Sequence, residues 1–230
     1  MRIVIDMQGA QTESRFRGIG RYTLSLGLAL ARQRGEHEII LALSGQFPES
    51  IEPIRVAFDG LLAQENIRVW DAPAPTREVH PDNRLRREAA ERIREAFLLA
   101  QEPDVVVVGS LFEGYGDDAV TSIGQFDRQT PTAVILYDLI PLLNPDQHFL
   151  SNKLQQSYYR RKIESLRNSK LLLAISASAR QEALTGIGFD PEAVVNISGA
   201  YDDTFRVVDV SEVEKSRLLQ KLGISRPFVF

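Results

Sequence analysis

The sequence has no cysteine, so disulfides and thiolate-bound metals are excluded and a reducing compartment is allowed. Its three histidines, His37, His80 and His148, lack the close helical spacing that brings two imidazoles onto one metal, which points away from a metal site. No apolar run approaches the ~20 residues of a membrane span. Positive charge is not in excess: the net charge of −4 argues against a general nucleic-acid binder. The nearest approach to a nucleophile elbow, Gly109-Ser110-Leu111-Phe112-Glu113-Gly114, is not Gly-x-Ser-x-Gly, and no serine triad can be drawn. An apolar strand pattern starts at Arg2, so no leader is expected ahead of it. The expectation is a soluble cytoplasmic protein, with contact at a membrane surface left open.

What is present is ordinary globular material: 230 residues, 43% hydrophobic and 25% charged, enough for one large domain or a domain plus part of another. Short apolar runs alternate with helical patterns. Strands are expected at 2–5, 37–43, 67–70, 105–108, 132–137, 171–175 and 194–197. Helices are expected at 23–32, 48–62 (with Pro53 starting or kinking it), 84–100, 119–126, 149–168 and 177–184. In the third helical pattern, Leu85, Ala89, Ile93, Ala96 and Phe97 share one helical face, and Asn83 stands at its cap position. This order predicts an α/β, Rossmann-like fold: a mostly parallel twisted sheet of about seven strands with helices on both faces.

The chain's end reads differently. Residues 201–210 are loop-like, 213–222 helical and closed by Gly223, and Arg226-Pro227-Phe228-Val229-Phe230 opens another apolar run. The expectation is a first domain over 1–205, followed by a linker helix and the first strand of a truncated second domain over 206–230. The alternative is a final edge strand.

In open α/β sheets, ligands gather at the carboxyl ends of the strands. Those ends read Asp6, Ser44, Asp71, Gly109-Ser110, Tyr137-Asp138, Ser176 and Ser198-Gly199. Arg17-Gly18-Ile19-Gly20-Arg21-Tyr22 lies between the first strand and first helix, where backbone N–H groups and the helix dipole attract anions. It is not a dinucleotide fingerprint, because Thr23 holds the third glycine position and no acid ends the second strand. The same spacing also suits a plain turn. Asp138 follows a buried strand and is placed as a base or as a partner for a sugar hydroxyl; a turn aspartate is the other reading. Ser176 and Ser178 suit caps of the next helix. Residues 153–170 carry Lys153, Arg160, Arg161, Lys162, Arg167 and Lys170 against Glu164 alone, which suits an anionic membrane surface or a solvated helix face.

Five pieces, in order, resemble one family. They are residues 1–6, Gly18-Ile19-Gly20-Arg21-Tyr22, Tyr137-Asp138-Leu139-Ile140-Pro141-Leu142, Ile175-Ser176-Ala177-Ser178-Ala179-Arg180, and residues 194–205. Together they resemble the N-terminal half of family 4 glycosyltransferases, nearest to bacterial mannosyltransferase-like enzymes of polysaccharide assembly. Residues 223–230 resemble the entry into the second half. The resemblance implies a GT-B architecture, two Rossmann-like domains facing across a cleft, the first holding the acceptor and the second the nucleotide sugar. It implies retaining, metal-independent transfer without a cofactor. Gly18, Gly20 and Arg21 would then approach the donor diphosphate. Asp138 falls where the family often has a His-Asp pair, and Tyr137 stands in the histidine's place; Ser176 lies on the same cleft. The implied partners are a nucleotide-sugar donor, held by the absent half, and a glycan or lipid-linked acceptor, at the inner face of the membrane. This stretch alone would then be inactive, and residues 7–17 would be mobile without ligand and facing domain. The competing function is a stand-alone Rossmann-like module that binds a nucleotide or glycan without chemistry.

Overall fold

The computed structural model describes residues 1–149, 152–200 and 206–228. Two compact units emerge, Met1–Gly199 and Ala200–Phe230. The first holds β1 (Arg2–Asp6), α1 (Gly18–Arg32), β2 (Glu38–Ser44), α2 (Pro48–Ala57), β3 (Ile67–Trp70), α3 (Arg84–Leu99), β4 (Val105–Val108) and β5 (Thr132–Leu136). It continues with α4 (Ile140–Leu143), α5 (Pro145–His148), α6 (Lys153–Arg167), β6 (Leu171–Ala174), α7 (Ala177–Gly186) and β7 (Val194–Asn196). The second unit holds α8 (Glu212–Lys221), opened by a reciprocal cap in which the Ser211 hydroxyl accepts from the Glu214 N–H and the Glu214 carboxylate from that of Ser211. Residues 201–205 and 229–230 of the expected boundary and final strand lie outside the described residues.

The seven strands form one sheet in the order β3-β2-β1-β4-β5-β6-β7, and every pairing is parallel. Successive side chains leave a strand on opposite sides, so each apolar run serves two cores at once. Ile5, Ile39, Leu41, Leu43 and Val107 meet Met7, Ala31, Ile54 and Phe58, beside α1 and α2. Val4, Ile40, Val106, Val108, Val134, Leu136 and Leu172 meet Leu98, Tyr158, Ile163, Leu166, Ala179 and Ala183, from α3, α6 and α7. The direction of travel reverses between β1 and β4, which makes the crevice at their carboxyl ends the switch point of the sheet.

Three expectations need correction. The expected helix at 119–126 does not form. Residues 119–123 run as a buried irregular strip, and side chains satisfy its backbone. Gln8 Oε1 accepts from Val120 N (2.8 Å) and Gln8 Nε2 donates to Val120 O (2.7 Å). Lys162 Nζ donates to Thr121 O (2.6 Å), Arg94 Nη1 to Ser122 O (3.0 Å) and Asn168 Nδ2 to Ile123 O (2.9 Å), while Ser165 Oγ accepts from Ile123 N (2.8 Å). A buried backbone without a helix must find partners elsewhere, and here they are the polar side chains of α3, α6 and the segment after β1.

That requirement inverts α3. Its buried face is Arg87, Ala90, Glu91, Arg94, Glu95 and Leu98, while Leu85 is 71% exposed and Ala89 and Ile93 also face water. Arg94 is paired with Asp6, both side chains only 1% exposed. Asn83 precedes α3 as expected but makes no capping bond; its amide donates to Arg77 O (3.0 Å) instead.

The helix expected over 149–168 forms as α6 but starts later, at Lys153, and two short helical turns that were not expected, α4 and α5, precede it, opened by Pro141 and Pro145. The basic run on α6 does not form one face. Lys162 is buried, Arg161 pairs with Glu91 (2.7 Å) and Glu78, and Lys153, Arg160, Arg167 and Lys170 stay exposed. Among the described residues no helix is long and apolar enough to cross a membrane.

Candidate functional site: the carboxyl edge at the switch point

The connection from β1 to α1 was expected to be mobile. It is instead packed: two single-turn helices, Gln8–Ala10 and Glu13–Phe16, with residues 7–12 buried. Gln11 stitches it to the end of β2, accepting from Ser44 N (2.7 Å) and donating to Ser44 O (3.0 Å). Hydrogen bonds along the whole stretch replace the freedom that its mixed polarity suggests.

This turn delivers the chain into α1 with an open N-terminus. Arg17 at the cap position makes no side-chain bond to the first turn, and no acid lies in that turn. The N–H groups there carry the positive end of the helix dipole. Arg17 and Arg21 are exposed on either side and have no ion-pair partner among the described residues.

The two glycines do different work. A Cβ on Gly20 would collide with the Ser14 carbonyl and Arg15 Cα, so Gly20 lets α1 sit against the preceding turn. Nothing lies within 4 Å of a Cβ built on Gly18, which leaves its backbone open to approach.

Tyr137, at the end of β5, reaches under this turn. Its hydroxyl lies 3.1 Å from Thr23 Oγ1 and from the carbonyl oxygens of Ile19 and Gly109. Burial pushes its phenol well above the ordinary range, so it is neutral and acts as a strut between α1 and β4. Tyr22 packs edge-on against it (5.7 Å, 80°) and donates to Ser198 O (3.0 Å), tying α1 to the segment after β7.

Asp138 is exposed beside this strut. Its Oδ1 accepts from Ile140 N (3.1 Å), and Oδ2 has no partner among the described residues. The next N–H, of Leu139, donates to Glu182 (2.6 Å), which anchors the turn to α7. Ser176 is a cap: its Oγ accepts from Ala179 N (3.0 Å) at the start of α7. The structure therefore gathers Gly18, Gly20, Arg21, Tyr137 and Asp138 around the switch point, with Tyr137 and Gly20 internal and Gly18, Arg21 and Asp138 facing outward.

Sequence reasoning passed over two features. Gly9 closes the floor of the crevice against Gly109-Ser110, since a Cβ on Gly9 would lie 2.8 Å from Ser110 Cβ and 2.9 Å from Thr23 Oγ1. Glu113 is the second: a buried carboxylate that accepts from Thr12 Oγ1 (3.1 Å), Ser14 Oγ (3.0 Å) and Ser110 Oγ (2.9 Å). Burial pushes its carboxyl up, against the opposing effect of the hydroxyl bonds. The glycine-flanked segment Glu113-Gly114 was the only sequence signal for it.

Residues 17–199, from the turn before α1 to the end of the first unit, match the family model described as "Glycosyl transferase 4-like domain". The chain belongs to this family. A serotype-specific mannosyltransferase WbdA of Escherichia coli is 34% identical over 230 residues, all of this chain and 27% of the relative. A second WbdA of the same species is 32% identical over 202 residues, 87% of this chain and 25% of the relative. The chain thus spans about a quarter of the length of these curated relatives. Among solved structures, UDP-GlcNAc 2-epimerase from Neisseria meningitidis, bound to UDP-GlcNAc, is similar with a TM-score of 0.55 at 13% identity, over 85% of this chain and 46% of that one. Arabidopsis thaliana UGT89C1, complexed with quercetin, is similar with a TM-score of 0.50 at 8% identity, over 96% of this chain and 55% of that one. These two likenesses concern the fold alone, a Rossmann-like parallel sheet.

Proposed function

We propose that this chain is the acceptor-side domain of a retaining, metal-independent glycosyltransferase that moves a hexose, with mannose the candidate, from a nucleotide sugar to a glycan or lipid-linked acceptor. The observation that carries the reading is the open start of α1: uncapped, without acids, flanked by exposed Arg17 and Arg21, and open at Gly18. Such a terminus suits the charge that builds on a departing diphosphate, because its dipoles are fixed before the reaction begins. Asp138, with one carboxylate oxygen free of partners among the described residues, orients a hydroxyl of the acceptor or of the transferred sugar.

In this reading residues 206–230 lead into a donor-binding domain, and the chain by itself does not catalyse transfer. The test is steady-state turnover in a protein that also carries the donor-binding half. Asp138→Asn is expected to lower kcat by about 100-fold, the range for a positioned acid–base or orienting group. Unchanged turnover with intact folding removes Asp138 from the mechanism.

Calorimetry on the 230-residue chain separates this reading from a stand-alone binding module: no tight nucleotide-sugar binding is expected, and micromolar affinity favours the module. The proposed place of action is the cytoplasmic side of an anionic membrane, touched through Lys153, Arg160, Arg167 and Lys170. Equal sedimentation with anionic and neutral vesicles removes that contact.

A further inference from the structure

The carboxylate of Glu113 has three hydroxyl donors and, among the described residues, no Lys, Arg or His partner. A buried carboxylate costs several kcal/mol unless its lone pairs are filled, so the three hydroxyls are what hold it in place. Its own backbone is fixed too. Tyr158 OH donates to Glu113 O (3.0 Å), and Gly114 follows with φ of +96°, its missing Cβ leaving room for the Ala119 carbonyl.

The donors divide between two parts of the site. Ser110 follows β4, on the same loop as Glu113. Thr12 and Ser14 belong to the turn that precedes α1. Ser14 then passes the constraint on. Its carbonyl accepts from Arg17 N (2.9 Å), and the same oxygen is what a side chain on Gly20 would strike. The path is short and continuous: Glu113 holds Ser14, and Ser14 sets the backbone of Arg17 and Gly20 on both sides of the open N–H groups.

We propose that Glu113 is a positioning residue, which fixes the first turn of α1 at the height where its N–H groups meet a diphosphate. The role rests on the reading of α1 as the diphosphate cradle. It assigns Glu113 no contact with the ligand, since both of its oxygens are already filled from within the fold. The residue reaches the site through the turn alone.

The test is a titration of the 15N-labelled 230-residue chain with inorganic pyrophosphate, following the amides of Gly18, Ile19 and Gly20 by NMR, alongside thermal melting. The native chain is expected to show saturable shifts at these amides. Glu113→Gln offers one acceptor where there were two, and Ser14→Ala cuts the path on the turn side while leaving Glu113 in place. Each is expected to weaken pyrophosphate about fivefold, near the upper end of what one helix terminus contributes. Ser110→Ala, which leaves the turn-side bonds intact, is expected to weaken it by less than about twofold.

Should Glu113→Gln fail to fold, Ser14→Ala decides, since a single half-buried hydroxyl shifts Tm by no more than about 4 °C. Native affinity in folded Ser14→Ala overturns the positioning role while the cradle stands. Equal weakening by Ser110→Ala also overturns it, because general loosening of the loop would then be the cause. Absence of shifts at these amides in the native chain overturns the cradle reading and the positioning role together.

Discussion

On one side of the sheet, Ile5, Ile39, Leu41 and Leu43 meet Met7, Ile54 and Phe58, and the helices over them, α1 and α2, present small or apolar groups. On the other side the same strands meet Leu98, Ile163 and Leu166, but Asp6, Gln8, Arg94, Glu95 and Lys162 are buried there as well. The difference follows from one connection. Helices satisfy their own backbone, so a face covered by helices alone needs no polar partners. Residues 119–123 cross the second face without a helix, and the side chains around them supply the missing bonds. Buried charge on that face serves the backbone, and the groups open to a ligand lie elsewhere, at the carboxyl edge.

The largest expected effect breaks the wired face at its centre. Arg94→Ala leaves Asp6 as an unpaired buried carboxylate and frees the Ser122 carbonyl, and is expected to cost about 3–5 kcal/mol in denaturant unfolding. The same measurement on the dry face sharpens the contrast: Phe58→Leu keeps an apolar group and is expected to cost about 1–1.5 kcal/mol. Equal losses would mean that the two faces are held in the same way.

The next effect depends on pH. Burial lowers the pKa of Lys162 to about 7 from 10.5. Between these values the unfolded chain binds more protons at this site than the folded one, so stability rises with pH and is lost as pH falls toward 7. The slope for one such group is at most about 1.4 kcal/mol per pH unit. Thermal melts from pH 7.5 to 9.5 should show this rise, and Lys162→Met should flatten it. A native chain with no rise over that window would place the ammonium in a more polar setting than its contacts indicate.

The smallest effect concerns the outer side of α3. Ile93→Gln, on its exposed stripe, is expected to change stability by less than about 0.5 kcal/mol. A large loss would return the apolar stripe to the core and undo the comparison.

Much of the fold is legible in the sequence. Seven apolar runs become seven strands because a parallel strand covered on both faces must be apolar throughout. Ser176 was readable as a cap because a hydroxyl before a helical pattern has one common use. The start of α1 was not: Gly18-Ile19-Gly20-Arg21-Tyr22, expected as a loop before a helix at Thr23, is itself the opening of the helix, which its two glycines disguise. The face of α3 was not. Periodicity marks two stripes on that helix, one apolar and one charged, and composition favours burying the apolar one. The opposite choice depends on a neighbouring strip of backbone whose carbonyls need donors, and that strip is set by contacts distant in sequence.

The site divides in the same way. By itself the sequence determined the alternation of strands and helices, hence a parallel sheet, its carboxyl edge, and the residues that line it. Only the tertiary structure decided what each of them does there. Gly20 and Tyr137 are packed within the fold, Gly18 and Asp138 are open, and Glu113 is buried against the turn that precedes α1. The physical reason is that local pattern fixes hydrogen bonds within a helix or between adjacent strands, whereas a buried polar atom takes its partner from whatever the fold brings within about 3 Å.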